Sequence, residues 1–236
     1  MTYAFNATGT AEERLAPTSV LAGGITTTNL TASTITPSGY QTAATATGPA
    51  DSPTSANRFI LSNTEGNAGG HLSVFFPNTT ASNDTEAEVA ALTHYFDIVI
   101  SPAAGYVLDL TTLNLDYTAS NDTSGRNFFV RYNHSGTSNN FAGPSLMGGL
   151  YSGGVSTWVS GAGAAGNLDG IPLVQGGESV TLRFFNYRTT ITNTAQNFRY
   201  DNIIITGELT AVPEPAAGML AVAGAVVALG RRRRGC

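Results

Sequence analysis

The chain has 236 residues, 42% apolar and 9% aromatic, enough to bury a real core and too apolar for general disorder. Only 11% are charged, against about 25% in ordinary globular chains, and the formal net charge is −5. Of 11 basic and 16 acidic residues, setting aside Arg231–Arg234 and Glu214 leaves 7 against 15, a body charge of −8 without a single lysine. Such a body has no footprint for nucleic-acid phosphate or anionic lipid, so nucleic acid is excluded as a partner. The one cysteine, Cys236, allows neither an internal disulfide nor a cysteine metal site.

In chain order, residues 3–53 are rich in Thr, Ala, Ser and Gly, with strand-like pieces at 3–8 and 24–35. Clearer strands follow at 58–62 and 71–76, joined by a Gly/Asn-rich connection. Residues 86–92 suit one helical turn or the approach to a strand. Residues 95–100 place Phe96, Ile98 and Ile100 on one face. After a turn at 102–105, residues 106–117 alternate Leu113, Leu115 and Tyr117 against Asn114 and Asp116. That period of two marks a half-buried sheet.

Residues 127–133 alternate Phe128, Val130 and Tyr132 against Phe129 and Arg131. The Gly/Ser-rich stretch 135–177 predicts strands only around 145–151 and 155–159. Two strong strands close the body. Residues 179–187 set Val180, Leu182 and Phe184 against Arg183 and Phe185, and residues 200–209 end in Ile203-Ile204-Ile205-Thr206-Gly207. About ten short strands without a long amphipathic helix predict an all-β fold, an antiparallel β-sandwich over residues 1–211.

The segments 180–185 and 198–203 are similar to the last two strands of many bacterial jelly-roll modules. That resemblance implies a jelly-roll-like sandwich. It also implies a structural calcium at Asp201, which stands where such modules place a calcium-binding aspartate, an oxygen ligand of the kind calcium takes.

Candidate chemistry is sparse. His71, His94 and His134 lie on separate segments, and no Gly-x-Ser-x-Gly elbow or phosphate cradle is present. Glu86 and Glu88 would share a face if extended, and Asp97, Asp109, Asp116 and Asp201 are further acids. A polysaccharide hydrolase would need two of them about 5–10 Å apart. A carbohydrate-binding module would need exposed aromatics, for which Trp158 and Tyr151 are the candidates, with Tyr132 and Tyr187 behind them. The first expectation is a non-enzymatic body, with a carbohydrate-binding module as the alternative and a hydrolase after it.

The tail, residues 212–236, reads differently. Val212-Pro213-Glu214-Pro215 precedes an uncharged apolar run at 216–230, then Arg231, Arg232, Arg233 and Arg234. As a helix the run is about 22 Å long, short for a hydrocarbon core of about 30 Å, yet able to span if the arginines snorkel. Clustered arginines stay on the cytoplasmic side, so the body belongs outside. Two prolines fix φ and remove donors, which keeps the tripeptide extended and accessible.

Pro-Glu-Pro, a short transmembrane helix and a terminal arginine cluster together resemble the PEP-CTERM sorting signal of Gram-negative bacteria. The resemblance implies that exosortase, a membrane-embedded cysteine transpeptidase, recognises Pro213, Glu214 and Pro215 and removes the helix. An inner-membrane-anchored precursor would then pass to the cell surface or extracellular matrix. A Sec signal peptide is expected ahead of such a body; Met1-Thr2-Tyr3-Ala4-Phe5-Asn6 has no such character, so the true N-terminus is expected upstream.

Overall fold

The computed structural model describes residues 1–3, 27–38, 41–42, 58–62, 71–75, 85–91, 94–119, 126–151, 158–160, 165–188 and 197–213. Its strands are β1 (Thr2–Tyr3), β2 (Leu30–Ala32), β3 (Thr36–Ser38), β4 (Gln41–Thr42), β5 (Arg58–Ser62), β6 (His71–Phe75), β7 (Tyr95–Pro102), β8 (Tyr106–Ala119), β9 (Arg126–His134), β10 (Met147–Tyr151), β11 (Ala165–Asn167), β12 (Val174–Gln175), β13 (Val180–Arg188) and β14 (Asn197–Ala211). A single helical turn, α1, spans Glu86–Ala90.

The strands form two sheets, mostly antiparallel. The larger runs β11-β8-β14-β6-β5-β4, with β1 on β14 and β12 on β8; the smaller runs β10-β9-β13-β7-β2, with β3 on β7. The short pair β4–β5 is parallel. Between the sheets lies one apolar core. Phe96 and Phe184 stack across β7 and β13 with centroids 4.5 Å apart, and Tyr200 meets Phe96 edge-on at 5.5 Å from the opposite sheet. The expected sandwich is therefore present, and it closes by aromatic packing, whose offset and edge-on contacts add to the buried area.

Several elements differ from expectation. The long partners β8 and β14 dominate the larger sheet, and β14 extends through residues 197–211 instead of 200–209. The strand expected at 155–159 is reduced, among the described residues, to one bridge between Val159 and Tyr117. The stretch 24–35 yields a 3-10 turn at Thr27–Asn29 before β2. Within the stretch 86–92, Glu86–Ala90 is helix because Thr85 and Glu88 form a reciprocal capping box, which satisfies N–H groups a short helix leaves orphaned. Among the described residues no helix is long and apolar enough to cross a membrane; the run 216–230 lies outside them.

Two irregularities keep β8 and β14 facing the core along their whole length. Between Asp201 and Ile204 the register skips, so that Asn202 and Ile203 stand opposite one residue of β8. Asn202 adopts φ 48°, a left-handed conformation that Asn tolerates better than most residues. Buried apolar positions therefore pass from Phe198 and Tyr200 to Ile203 and Ile205. A second skip between Thr206 and Gly207 inserts Thr111 on β8, moving its buried set from Leu108 and Leu110 to Leu113, Leu115 and Tyr117. Each bulge shifts a strand by one residue and so preserves the apolar face a period of two would otherwise lose.

Candidate functional site

Among the described residues, the outer face of the smaller sheet carries a cluster of polar and aromatic side chains. It follows from the alternation of β7, β9 and β13. Phe96, Val130 and Phe184 point inward, so Tyr95, Asp97, Phe129, Arg131, Arg183 and Phe185 point away from the core. Register then aligns Asp97 with Arg183 and Arg183 with Arg131 in one row across three strands.

Arg183 is held on every side. Its Nε and Nη2 donate to Asp97 Oδ1 and Oδ2 at 2.9 and 2.8 Å, a bidentate fork. Its guanidinium carbon lies 3.4 Å from the Tyr95 ring centroid and 3.9 Å from that of Phe141, so two rings sandwich the cation. Arg183 and Asp97 are 19% and 17% exposed.

Arg131 is held more loosely. Its Nη1 donates to the Phe141 carbonyl at 3.5 Å, its Nη2 lies 3.7 Å from Glu86 Oε2, and its guanidinium carbon is 5.1 Å from the Phe129 ring centroid. Its Nε is buried without a hydrogen-bond partner. Glu86 also accepts from Ser145 Oγ at 2.5 Å. Burial and the Glu86 carboxylate push the Tyr187 phenol above its usual pKa of 10.0.

A neighbouring aromatic row is covered by α1. Phe129 and Phe185 stack at 4.6 Å in direct register, and Val89 of α1 is buried against them. The loop after β9 supplies Phe141. Asn139 Oδ1 accepts from His134 N–H and its Nδ2 donates to the Tyr132 carbonyl, while Asn140 N–H donates to Asn133 Oδ1. These bonds hold Ser138, Asn140 and Phe141 at positive φ, with Phe141 at 59°. A left-handed phenylalanine is costly, and here the cost places its ring over Arg183.

The residues singled out in the sequence fall in separate places. Glu86 reaches the arginine row, whereas Glu88 turns back to Thr85, accepting from its N–H at 2.8 Å and its Oγ1 at 2.9 Å. The helical turn thus separates two carboxylates that an extended strand would have set on one face. Trp158 is half-buried beside the Val159 bridge to the larger sheet. Tyr151 pairs with Arg126 at the edge of the smaller sheet, and its side chain lies outside the described residues. Tyr151 is therefore on the smaller sheet, while Trp158 adjoins a bridge to the larger one.

Asp201 is fully buried on β14, directly opposite Asp116. Its Oδ1 accepts from Asn202 N–H at 2.8 Å, and Asn202 Nδ2 donates to Asp116 Oδ2 at 2.8 Å. These contacts serve the bulge. Among the described residues no group of three or more His, Cys, Asp or Glu is placed to hold a metal ion. His134 is buried; its Nδ1 accepts from Gly136 N–H at 3.1 Å, and its Nε2 lies 3.3 Å from the Leu173 carbonyl, a pairing that assigns the proton to Nε2. Pro213 is exposed, and Glu214, Pro215 and Arg231–Arg234 lie outside the described residues.

The sequence alternation sets Phe129 and Arg131 against Phe128, Val130 and Tyr132, and Arg183 and Phe185 against Val180, Leu182 and Phe184. It missed Phe141 and the pairing of Arg183 with Asp97, because alternation gives the face and only register gives the neighbour.

No family model matches the chain, and no curated relative matches it either. Among solved structures, one of a "putative sugar binding protein" from Bacteroides thetaiotaomicron VPI-5482 is similar at 7% identity and TM-score 0.31, covering 65% of this chain and 89% of that one. A likeness at that level carries no argument about ligand or activity.

Proposed function

We propose that this chain is an exported, non-catalytic, jelly-roll-like β-sandwich sorted to the cell surface or extracellular matrix through its C-terminal signal. Exosortase recognises Pro213, Glu214 and Pro215, residues 216–230 hold the precursor in the inner membrane, and Arg231–Arg234 stay on the cytoplasmic side. The observation that carries this reading is the order of tripeptide, uncharged apolar run and arginine cluster, which has a direct physical meaning at a bilayer. The fold supports the boundary, since β14 ends at Ala211, two residues before the tripeptide. The non-catalytic part is supported by Glu86 and Glu88, which are engaged in an ion pair and a helix cap.

Mass spectrometry of the mature protein from an exosortase-containing host tests it. The expected product lacks residues 216–236; a surface-located product intact through Cys236 overturns the processing.

A second reading, polysaccharide binding, is favoured by one observation. The partly exposed row of Tyr95, Arg183, Phe141 and Arg131 sets aromatic rings beside guanidinium groups on one sheet face. A glycan array on residues 1–211 against the Arg131→Met variant tests it. Binding lost with that substitution supports the reading, and binding by neither protein ends it.

A further inference from the structure

The folded body and the sorting tripeptide are joined without slack. Val212 N–H still donates to the Gly105 carbonyl at 2.8 Å, and Pro213 is the next residue. A transpeptidase that seats an extended peptide in its own cleft therefore meets the wall of the sandwich immediately upstream of its motif. A tripeptide that begins one residue past a paired strand gains reach only if that strand end opens.

The end of β14 is built to open. Upstream, β14 is flanked by β8 on one side and by β6 or β1 on the other. From Thr206 onward, among the described residues, β8 is its one partner. The bulge at Thr206/Gly207 interrupts the ladder where this part begins. Gly207 is required there, because a Cβ would stand 2.3 Å from the Asp109 carbonyl. Beyond it, Glu208 lies directly opposite Asp109, and both are exposed. Like charges directly opposite destabilise a strand pair. Of residues 206–211 Leu209 alone is buried, so little apolar area holds the segment down.

We propose that residues 207–212 form a releasable strand end, opened by the Glu208/Asp109 repulsion, that supplies the reach by which the tripeptide enters its processing enzyme. Once freed, residues 207–211 add about 17 Å of extended chain, enough to carry the motif clear of the sandwich end. The proposal rests on the sorting reading for its purpose, and on the fold alone for its mechanism.

Two measurements test these parts separately. Hydrogen exchange on the purified full chain is expected to show residues 207–212 at least about tenfold less protected than residues 203–205. Equal protection overturns the release.

The second measurement follows cleavage in an exosortase-containing host with an export leader ahead of Met1. Glu208→Lys and Asp109→Lys each turn the repulsion into an attraction and are expected to slow cleavage about threefold. The double variant restores a like-charge pair and the wild-type rate, and a four-residue Gly/Ser insertion after Ala211 makes Glu208→Lys as fast as wild type. Single variants cleaved at the wild-type rate, or a double variant as slow as either, overturn the role of the pair. A wild-type tail left intact in that host overturns the sorting reading and the purpose given to the release, while the exchange result still decides whether the strand opens.

Discussion

Arg183 and Asp97 face each other in direct register across β13 and β7 and join through two hydrogen bonds of 2.9 and 2.8 Å. On the other side of Arg183, also in register, stands Arg131. Asp97 therefore neutralises the middle residue of the row, the arginine that stands beside Arg131. Asp97→Asn should cost about 2 kcal/mol, because it removes the carboxylate paired with Arg183 while Arg131 still stands beside that largely buried cation. Arg183→Met keeps the packed stem, removes the repulsion and should cost less. Urea unfolding of the two variants gives the order.

Phe141 combines a favourable ring contact with an unfavourable backbone. Phe141→Ala loses the stack on Arg183 and keeps the left-handed φ, whereas Phe141→Gly loses the stack and relieves the φ. The glycine variant should be more stable than the alanine variant by about 1 kcal/mol despite its smaller side chain. Denaturant midpoints at constant slope decide it.

Asn202 sets the bulge that brings Ile203 and Ile205 into the core. A β-branched side chain does not sit at φ 48°, so Asn202→Val should destabilise by roughly 2 kcal/mol or shift the register of β14 against β8. Cross-strand contacts in an NMR spectrum distinguish a weakened bulge from a slipped strand.

Tyr200 donates its hydroxyl to Asn186 Oδ1, and both residues are fully buried. Tyr200→Phe keeps the ring contacts with Phe96 and Phe198 and strands the amide oxygen. It should cost about 1–3 kcal/mol. Thermal unfolding of Tyr200→Phe against Tyr200→Phe/Asn186→Leu checks it, with the double variant recovering part of the loss.

Glu88 caps α1, and its hydrogen bonds with the Thr85 backbone and side chain hold its carboxyl below the ordinary 4.5. A carboxyl whose pKa is lowered by folding contributes stability that is present above the ordinary value and lost as pH falls through the lowered one. Exchange protection of the α1 amides should therefore drop on the acid side of 4.5. Glu88→Gln should flatten that dependence.

Much of the fold was legible in the sequence. The alternations at 95–100, 113–117 and 179–185 gave the strands and their buried faces, because a half-buried sheet forces a period of two. The break in parity from Tyr200 to Ile203 is visible once a bulge is allowed, but Asn202 alone does not announce one. The helix at 86–90 was ambiguous, because five residues are too few for a 3.6-residue period to stand out, and the Thr85–Glu88 cap decided it.

The sequence by itself determined the sorting tail as a pattern, the acidic lysine-free body and the alternation that sets Arg131 and Arg183 opposite their strands' apolar residues, since each depends on residue order or composition. Only the tertiary structure decided that Asp97, Arg183 and Arg131 form one row, that Phe141 closes over it, and that Glu208 meets Asp109 five residues before the tripeptide. Those are contacts between strands far apart in sequence, and pairing register, fixed by bulges and core packing, is what brings them together.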